Sequence, residues 1–464
     1  MTNRTTSPDR TEDFVQPMTD QMGQLARTIS TWVQAEARPL QEIEAQVVRV
    51  LHDLGNSLLT ALAPLAAPVR PAPDGPGTCG PTARYLRMRS ATVTTVLGPV
   101  RLERALYACA TCGAHQAPRD QQLPIAAGGL SLGLQEVLAM LGATQDSFAQ
   151  ATAVLPRRCL GPVCPNSARA ATDDLGAVLT AHTEAQVATA QQTQTPPPAV
   201  APAPPRLYLS MDGVLAHTRA GGWKEIKIGC GYTTRTRVSR RRPDTLEIRA
   251  EAQRYVAALA DAATFGWHFW AEAQRRGSTE DTEVVLIGDG AHGIWKLADE
   301  HFPHATQIVD WYNASQYLWP AATTIWGTAG DQQRTWANTQ LTALWEGRID
   351  DILAALEPYR ARGDGVTDGL SYISTHRSRM DYPTYRARGL HIGSGTVEST
   401  CKQIVSARLK LAGMIWDPAG AEAVAVVRAW LKSHRWDEAM RLRPPPQRTY
   451  QRQSPPPSPS PAAA

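Results

Sequence analysis

The chain of 464 residues contains no apolar run of about 18 residues or more, which excludes a membrane-spanning helix. Met1 to Arg10 lacks the apolar stretch of a secretory signal. Seven cysteines, an odd number scattered along a long chain, exclude a secreted disulfide framework and leave metal ligation or plain thiols. A large excess of one charge is also lacking, the formal net charge being +4. The expectation is a cytoplasmic protein with enough length for about two to four domains.

The most informative stretch present is Gly389-Leu390-His391-Ile392-Gly393-Ser394-Gly395-Thr396-Val397-Glu398-Ser399-Thr400-Cys401-Lys402. Gly393 and Gly395 supply a turn that bulkier residues resist, and Ser394 or Thr396 can cap a helix carrying Glu398. Lys402 follows one helical turn on, then Arg408 and Lys410, so the carboxylate lies beside cations suited to phosphate. This is a nuclease-like edge.

Two upstream segments offer partners. Leu207-Tyr208-Leu209-Ser210-Met211-Asp212-Gly213 and Val284-Val285-Leu286-Ile287-Gly288-Asp289-Gly290 are apolar, strand-like runs ending in Asp-Gly. A strand leaving its sheet at glycine would expose each Asp at a strand end, where clefts of open sheets form. Three converging carboxylates repel one another unless cations occupy the site, and oxygen-only ligands favour hard ions such as Mg²⁺ or Mn²⁺. Two such ions can clamp the attacking and leaving oxygens of an in-line phosphoryl displacement.

With these residues the chain resembles the DDE transposases of bacterial insertion sequences of the ISKra type. The resemblance covers roughly residues 75 to 437. It rests on Met211-Asp212-Gly213-Val214 with Gly222-Trp223-Lys224-Glu225, Gly288-Asp289-Gly290-Ala291, Ile308-Val309-Asp310-Trp311-Tyr312, and Gly393-Ser394-Gly395-Thr396-Val397-Glu398-Ser399 through Arg408-Leu409-Lys410 to Gly413-Met414-Ile415-Trp416. It implies an α/β ribonuclease-H-like catalytic core with a long all-helical insertion, preceded by a zinc-ribbon-like and helical amino-terminal module. It makes Asp212, Asp289 and Glu398 the metal-binding triad. Asp310 competes for the second-carboxylate role. In related families a Cys or Asp is followed three residues later by His, and that pair is Asp310 and Asn313 here, both expected to orient the triad from behind. Asn can hydrogen-bond but cannot titrate near neutral pH.

The cations are unevenly placed. Arg235, Arg237, Arg240, Arg241, Arg242 and Arg249 cluster between the first two carboxylate segments, which reads as a basic hairpin beside the active site. Arg377, Arg379, Arg386, Arg388, Lys402, Arg408 and Lys410 gather around Glu398. Neutralising phosphates in this way makes binding strongly salt-sensitive.

Cys79 comes before, and Cys109 and Cys112 come after, a β-patterned stretch with a Gly98-Pro99 turn. This resembles a zinc ribbon, whose site ordinarily takes two Cys pairs. Pro76 stands where one Cys would be, so a fourth Zn²⁺ ligand would be His115, a residue elsewhere or water, unless the ribbon has lost its metal. Leu134, Val137, Leu138 and Leu141 share a helix face, Phe148 to Leu155 form another helix, and Cys164-Pro165 can open a third with Arg169 on it. That allows either a helix-turn-helix or plain helical packing. Cys159 and Cys164 read as core thiols.

The expected organisation is disorder over 1–20, a helical segment over 21–74, the ribbon over 75–130, helices over 131–190 and a Pro/Ala linker over 191–205 that marks the main boundary. The core occupies 206–314, with a helix from about Asp261 to Arg276. A helical insertion spans 315–388, with Trp319, Trp326, Trp336 and Trp345 in its core, and the Glu helix lies in 389–440. A disordered tail covers 441–464. The resemblance then implies a transposase that binds the terminal inverted repeats of its element in double-stranded DNA, cleaves the strands and joins them to target DNA. It would act as at least a dimer and be nucleoid-associated when DNA-bound. The alternative is a catalytically silent, transposase-derived DNA-binding protein, favoured by Asn313 and the missing cysteine; a ribonuclease-H-like nuclease or resolvase comes third.

Overall fold

The structure, a computed structural model, describes residues 11–66, 74–75, 82–155, 163–238, 246–328, 330–393 and 395–444. It divides into two compact units, Met1–Ala171 with Arg443–Ala464, and Thr172–Leu442.

In the first unit, helices Thr11–Ala35 and Leu40–Ala66 precede an antiparallel strand pair, Ala83–Thr95 and Gly98–Cys109. The first helix starts within the segment expected to be disordered, because Met18, Met22 and Leu25 already recur at helical spacing. The strand pair turns at Gly98, whose φ of 107° suits glycine. Val93, Val100, Leu102 and Ile125 form a core against which Leu59 and Ala63 pack. Arg104 and Asp120 form a buried ion pair beside it.

Helices Leu132–Thr144 and Phe148–Ala153 are capped by Ser131 and Ser147, whose hydroxyls each accept a backbone N–H at 3.1 Å. A third helix, Pro165–Thr193, crosses the division between the units. The proline-rich linker is therefore not the boundary. It lies along the second unit, where Val200 N–H donates to the Arg275 carbonyl at 2.8 Å. Cys164 is exposed rather than a core thiol, its Sγ 3.3 Å from the Ser167 hydroxyl at the helix start. Cys159 lies outside the described residues.

The second unit is built on five strands: β1 (Arg206–Thr218), β2 (Gly222–Val238), β3 (Leu246–Ala258), β4 (Glu283–Gly288) and β5 (Thr306–Val309). They lie in the order β3-β2-β1-β4-β5. β1, β2 and β3 are antiparallel neighbours joined as hairpins, whereas β4 runs parallel to β1, and β5 parallel to β4. Parallel pairing needs crossovers, here through helices Ala262–Arg275 and His292–His301. Asp261 caps the first of these, accepting the Thr264 N–H at 2.7 Å. Leu207, Tyr208, Leu209, Val285, Leu286 and Ile287 are buried, as central strands covered on both faces require.

Residues 318–387 are helical, with Leu318, Ile325, Leu344, Ile352, Leu356, Val366 and Ile373 inside. The tryptophans depart from expectation: Trp319, Trp326 and Trp345 are exposed at the rim. Small and aliphatic side chains let these short helices approach closely, and the large rings are held outside, Trp345 between Trp311 and the Arg386 guanidinium. Helices Pro418–Lys432 and Trp436–Leu442 close the unit. A buried network ties them to helix Ala262–Arg275: Arg435 meets Glu272 and Glu438 at 2.8 Å each, and Arg275 also reaches Glu438. Among the described residues no helix is long and apolar enough to cross a membrane.

Candidate active site

Strand register brings the first two carboxylates together. Ile287 of β4 pairs with Ser210 of β1, and β4 stops one residue later while β1 runs on. Two residues past that pair, Asp289 and Asp212 stand level. Asp289 follows a strand end as expected, but Asp212 sits mid-strand, because pairing with β2 continues through Thr218↔Gly222. The loop after β4 is fixed. Ala291 N–H donates to Asp289 Oδ1 at 2.9 Å, Tyr372 donates its hydroxyl to the Asp289 carbonyl, and Gly290 has φ 104°. A Cβ at Gly290 would fall 2.7 Å from the Tyr372 hydroxyl, so glycine is required there twice over.

Asp212 and Asp289 line one cleft of about 240 Å³ with Glu225, Lys227, Phe265 and Gly293. That is room for several waters at about 30 Å³ each. A Cβ on Gly213 would collide with the Glu225 carboxylate, so this Gly leaves space for a third acidic group, which Lys227 pairs. Burial raises the pKa of Asp212. The Gly213 N–H at 2.7 Å and the Cys401 thiol, 3.5 Å from Oδ2, oppose the rise, and the charges of Asp289 and Glu225 add to it. Excess negative potential of this kind is what a bound cation relieves. The donor set fits a hard divalent ion through Asp212 and Asp289.

Glu398 arrives from the other direction. His391 seats the preceding loop: its N–H donates to the Tyr208 hydroxyl at 3.2 Å, and its Nδ1 lies 3.3 Å from the Tyr232 hydroxyl. Helix Gly395–Cys401 then packs on β1 and β2, with Val397, Thr400 and Cys401 buried. Thr396 lies inside this helix rather than capping it, and Ser394 is outside the described residues. Glu398 is exposed one turn before Cys401. Burial first, then the charge of Asp212 and more weakly that of Glu398, pushes the Cys401 thiol up. The expected convergence is thus partial, since among the described residues no three His, Cys, Asp or Glu side chains are close enough to hold a metal ion.

After Cys401 the helix widens to a π-turn over Lys402–Ser406 before resuming at Ala407–Leu409. The wider turn leaves carbonyls without their helical partners, and buried Arg428 supplies the donors, its Nε lying 2.9 Å from the Ile404 oxygen and 3.1 Å from that of Gln403. The extra residue also rotates the side chains that follow. Arg408, expected to contact phosphate, is 1% exposed and lies over the Trp416 ring at 4.8 Å. Lys402 and Lys410 are exposed.

Asp310 stands level with Asp289 across β5, but it is 1% exposed and caps helix Trp311–Gln316. Its Oδ1 accepts the Asn313 backbone N–H at 2.8 Å. The arginine hairpin is not beside the carboxylates. Asp212 pairs with Ile228, and Arg235 lies seven residues further along β2, about 24 Å away at the strand rise. The exposed Arg235 and Arg237 therefore project from the opposite end of β1, and Arg240, Arg241 and Arg242 lie outside the described residues. In the first unit Cys109 is buried at a strand end and Cys112 exposed in the following turn, closed by Gly113 N–H to the Cys109 carbonyl at 3.0 Å. Cys79 lies outside the described residues.

Glu225, Cys401, Tyr372 and Arg428 were assigned no site role from sequence. Only Glu225 carried a local signal, two residues before Lys227 on a strand opposite Asp-Gly; Cys401, Tyr372 and Arg428 act through contacts 189, 83 and 24 residues away in the chain. Compared with models of protein families and with curated proteins, the chain matches none.

Proposed function

We propose that the second unit is a ribonuclease-H-like nuclease core and that the protein is a DDE-type DNA transposase of a bacterial insertion sequence. The observation that carries this reading is the pairing of Asp212 and Asp289 at a notch where β4 stops beside β1, in a sheet ordered β3-β2-β1-β4-β5, with a Glu-bearing helix docked on β1 and β2. Asp212 and Asp289 would hold Mg²⁺ or Mn²⁺, which when bound would stabilise the oxygens of an in-line phosphoryl displacement, and Glu398 would have to approach to complete the set. The residues of the chain supply the rest. Gly213 N–H and Cys401 hold Asp212 from two sides, Tyr372 fixes the Asp289 loop, and Lys402 and Lys410, both exposed and following Glu398 in the chain, would meet phosphates of bound DNA. Terminal inverted repeats and target DNA are the expected partners, with two or more copies of the chain bridging two ends.

The separation of Glu398 from the two aspartates favours a second reading, a DNA-binding protein that has lost catalysis. Purified full-length protein incubated with Mg²⁺ and DNA carrying the repeats that flank its gene decides between them. Nicked or joined strands support the transposase; a retarded but uncut DNA supports the binder, and DNA neither bound nor cut overturns both.

A further inference from the structure

We propose that the tip of the β1–β2 hairpin is a stacking site for an unpaired nucleobase of DNA, with Trp223 as its platform. This rests on the DNA-processing reading above and adds to it a site for a distorted or single-stranded segment. Register pairs His217 with Trp223 and Leu215 with Glu225, so these side chains share one face of the hairpin. Trp223 is 60% exposed and Leu215 50%. One face of the Trp223 ring is already covered by the His217 ring, at 5.0 Å between centroids and 28° between planes. A further flat ring would extend that stack.

The platform is rigid. Thr218 Oγ1 donates to the Gly222 carbonyl at 2.7 Å across the turn, and the segment after the Glu helix is hydrogen-bonded to the same tip. Trp416 N–H donates to the His217 carbonyl at 2.9 Å and Arg219 N–H to the Trp416 carbonyl at 2.8 Å, which sets Ile415, 48% exposed, in the same segment. At 60% Trp223 is more open than Trp319, Trp326 or Trp345, which lie between 39% and 41%. The exposed cations at hand are Arg219 and Lys224, while the nearby Glu225 is paired by Lys227, so the local charge suits phosphate. Bases inside a duplex offer no open ring face, whereas an unstacked base does. Trp223 is two residues from Glu225 on β2 and therefore on the same face, about 7 Å along the strand from a residue that lines the carboxylate cleft.

The test uses the full-length protein with three DNAs of one sequence: a single strand, its duplex, and the duplex with a one-base 2-aminopurine bulge. Trp223→Ala is expected to weaken binding of the single strand and the bulged duplex by about tenfold, with duplex binding within twofold and thermal stability unchanged. Trp223→Phe should retain most of the affinity, and the 2-aminopurine signal on binding should be lost only in Trp223→Ala. Equal loss on all three DNAs, or none, overturns the base site alone. Wild-type self-association that disappears in Trp223→Ala, without a change in DNA preference, shows that a second copy covers the patch and also overturns it. If the wild type binds none of the three DNAs, the DNA-processing reading falls and the base site with it.

Discussion

The hydroxyl of Tyr372 donates to the backbone carbonyl of Asp289, 83 residues earlier in the chain. Tyr372 is itself held by Tyr317, stacked at 3.9 Å, and by His376 at 4.7 Å edge-on. The helical insertion is thereby tied to the backbone of one carboxylate. Removing the hydroxyl in Tyr372→Phe keeps the stacked ring and releases the loop. Cleavage should fall about tenfold with DNA affinity unchanged, the signature of lost positioning rather than lost binding. A matched loss of affinity would place Tyr372 in DNA binding instead.

Asp212→Asn, Asp289→Asn and Glu398→Gln should each abolish cleavage and leave end binding intact, because the amides keep shape and lose the charge that attracts Mg²⁺. Cleavage by Asp289→Asn at the wild-type rate would show that the second carboxylate lies elsewhere.

The same Asp212→Asn change has an expected effect on stability. Burial raises the pKa of Asp212, so the folded state disfavours the ionised form relative to the unfolded chain. That penalty is absent in acid, appears as pH rises above the unfolded value and is complete above the folded one. Metal-free Asp212→Asn should therefore melt higher than wild type at pH 8, by roughly 2–4 °C for each kcal/mol relieved, and show no gain at pH 3. A lower melting point at pH 8 contradicts the assignment.

Glu438 works in the opposite sense. Burial alone would raise its carboxyl, but hydrogen bonds and charge from Arg435 and Arg275 outweigh burial and hold its pKa at about 2, against 4.5 normally. The stabilisation is present above about pH 4.5 and is lost as pH falls towards 2. Glu438→Gln should cost about 1 kcal/mol at pH 7, since the carboxylate is partly open to solvent and Glu272 still pairs with Arg435 and Arg275. Thermal melts of both proteins should converge near pH 2.

Asn313→His tests whether the side chain at that position matters. The contact with Asp310 runs through the Asn313 backbone N–H, so the cap survives the change, and stability should move by less than about 0.5 kcal/mol. Asp310→Ala, which removes the cap itself, should cost about 1 kcal/mol or more. If imidazole acts in proton transfer, Asn313→His should raise cleavage by about a hundredfold. Equal rates from pH 6 to 9 leave position 313 with a backbone role only.

Much of the local structure follows from neighbours in the chain. The apolar runs before Asp289 and Asp310 form strands that stop where expected, and Asp261 begins a helix that ends at Arg275. Those features depend on periodicity, turn residues and caps, which act over a few residues. The pairing of Asp212 with Asp289 was legible as a suggestion, but its geometry was not. Asp-Gly at 212 looks like a turn, yet β2 continues to pair with it, and only the unequal lengths of β1 and β4 create the notch.

By itself the sequence determined the strands that end before Asp289 and Asp310, the helix that Asp261 caps, where the carboxylates and cations lie along the chain, and that long apolar spans are missing. Tertiary structure alone decided their placement. It buried Arg408 by widening one helical turn, sent the Arg235 and Arg237 hairpin away from the carboxylates, turned three tryptophans outward and tied Tyr372 to Asp289. Each outcome depends on strand register or on packing between residues far apart in sequence. Such contacts are selected by the whole buried interior, in which shifting a strand by one residue reverses every side chain it carries.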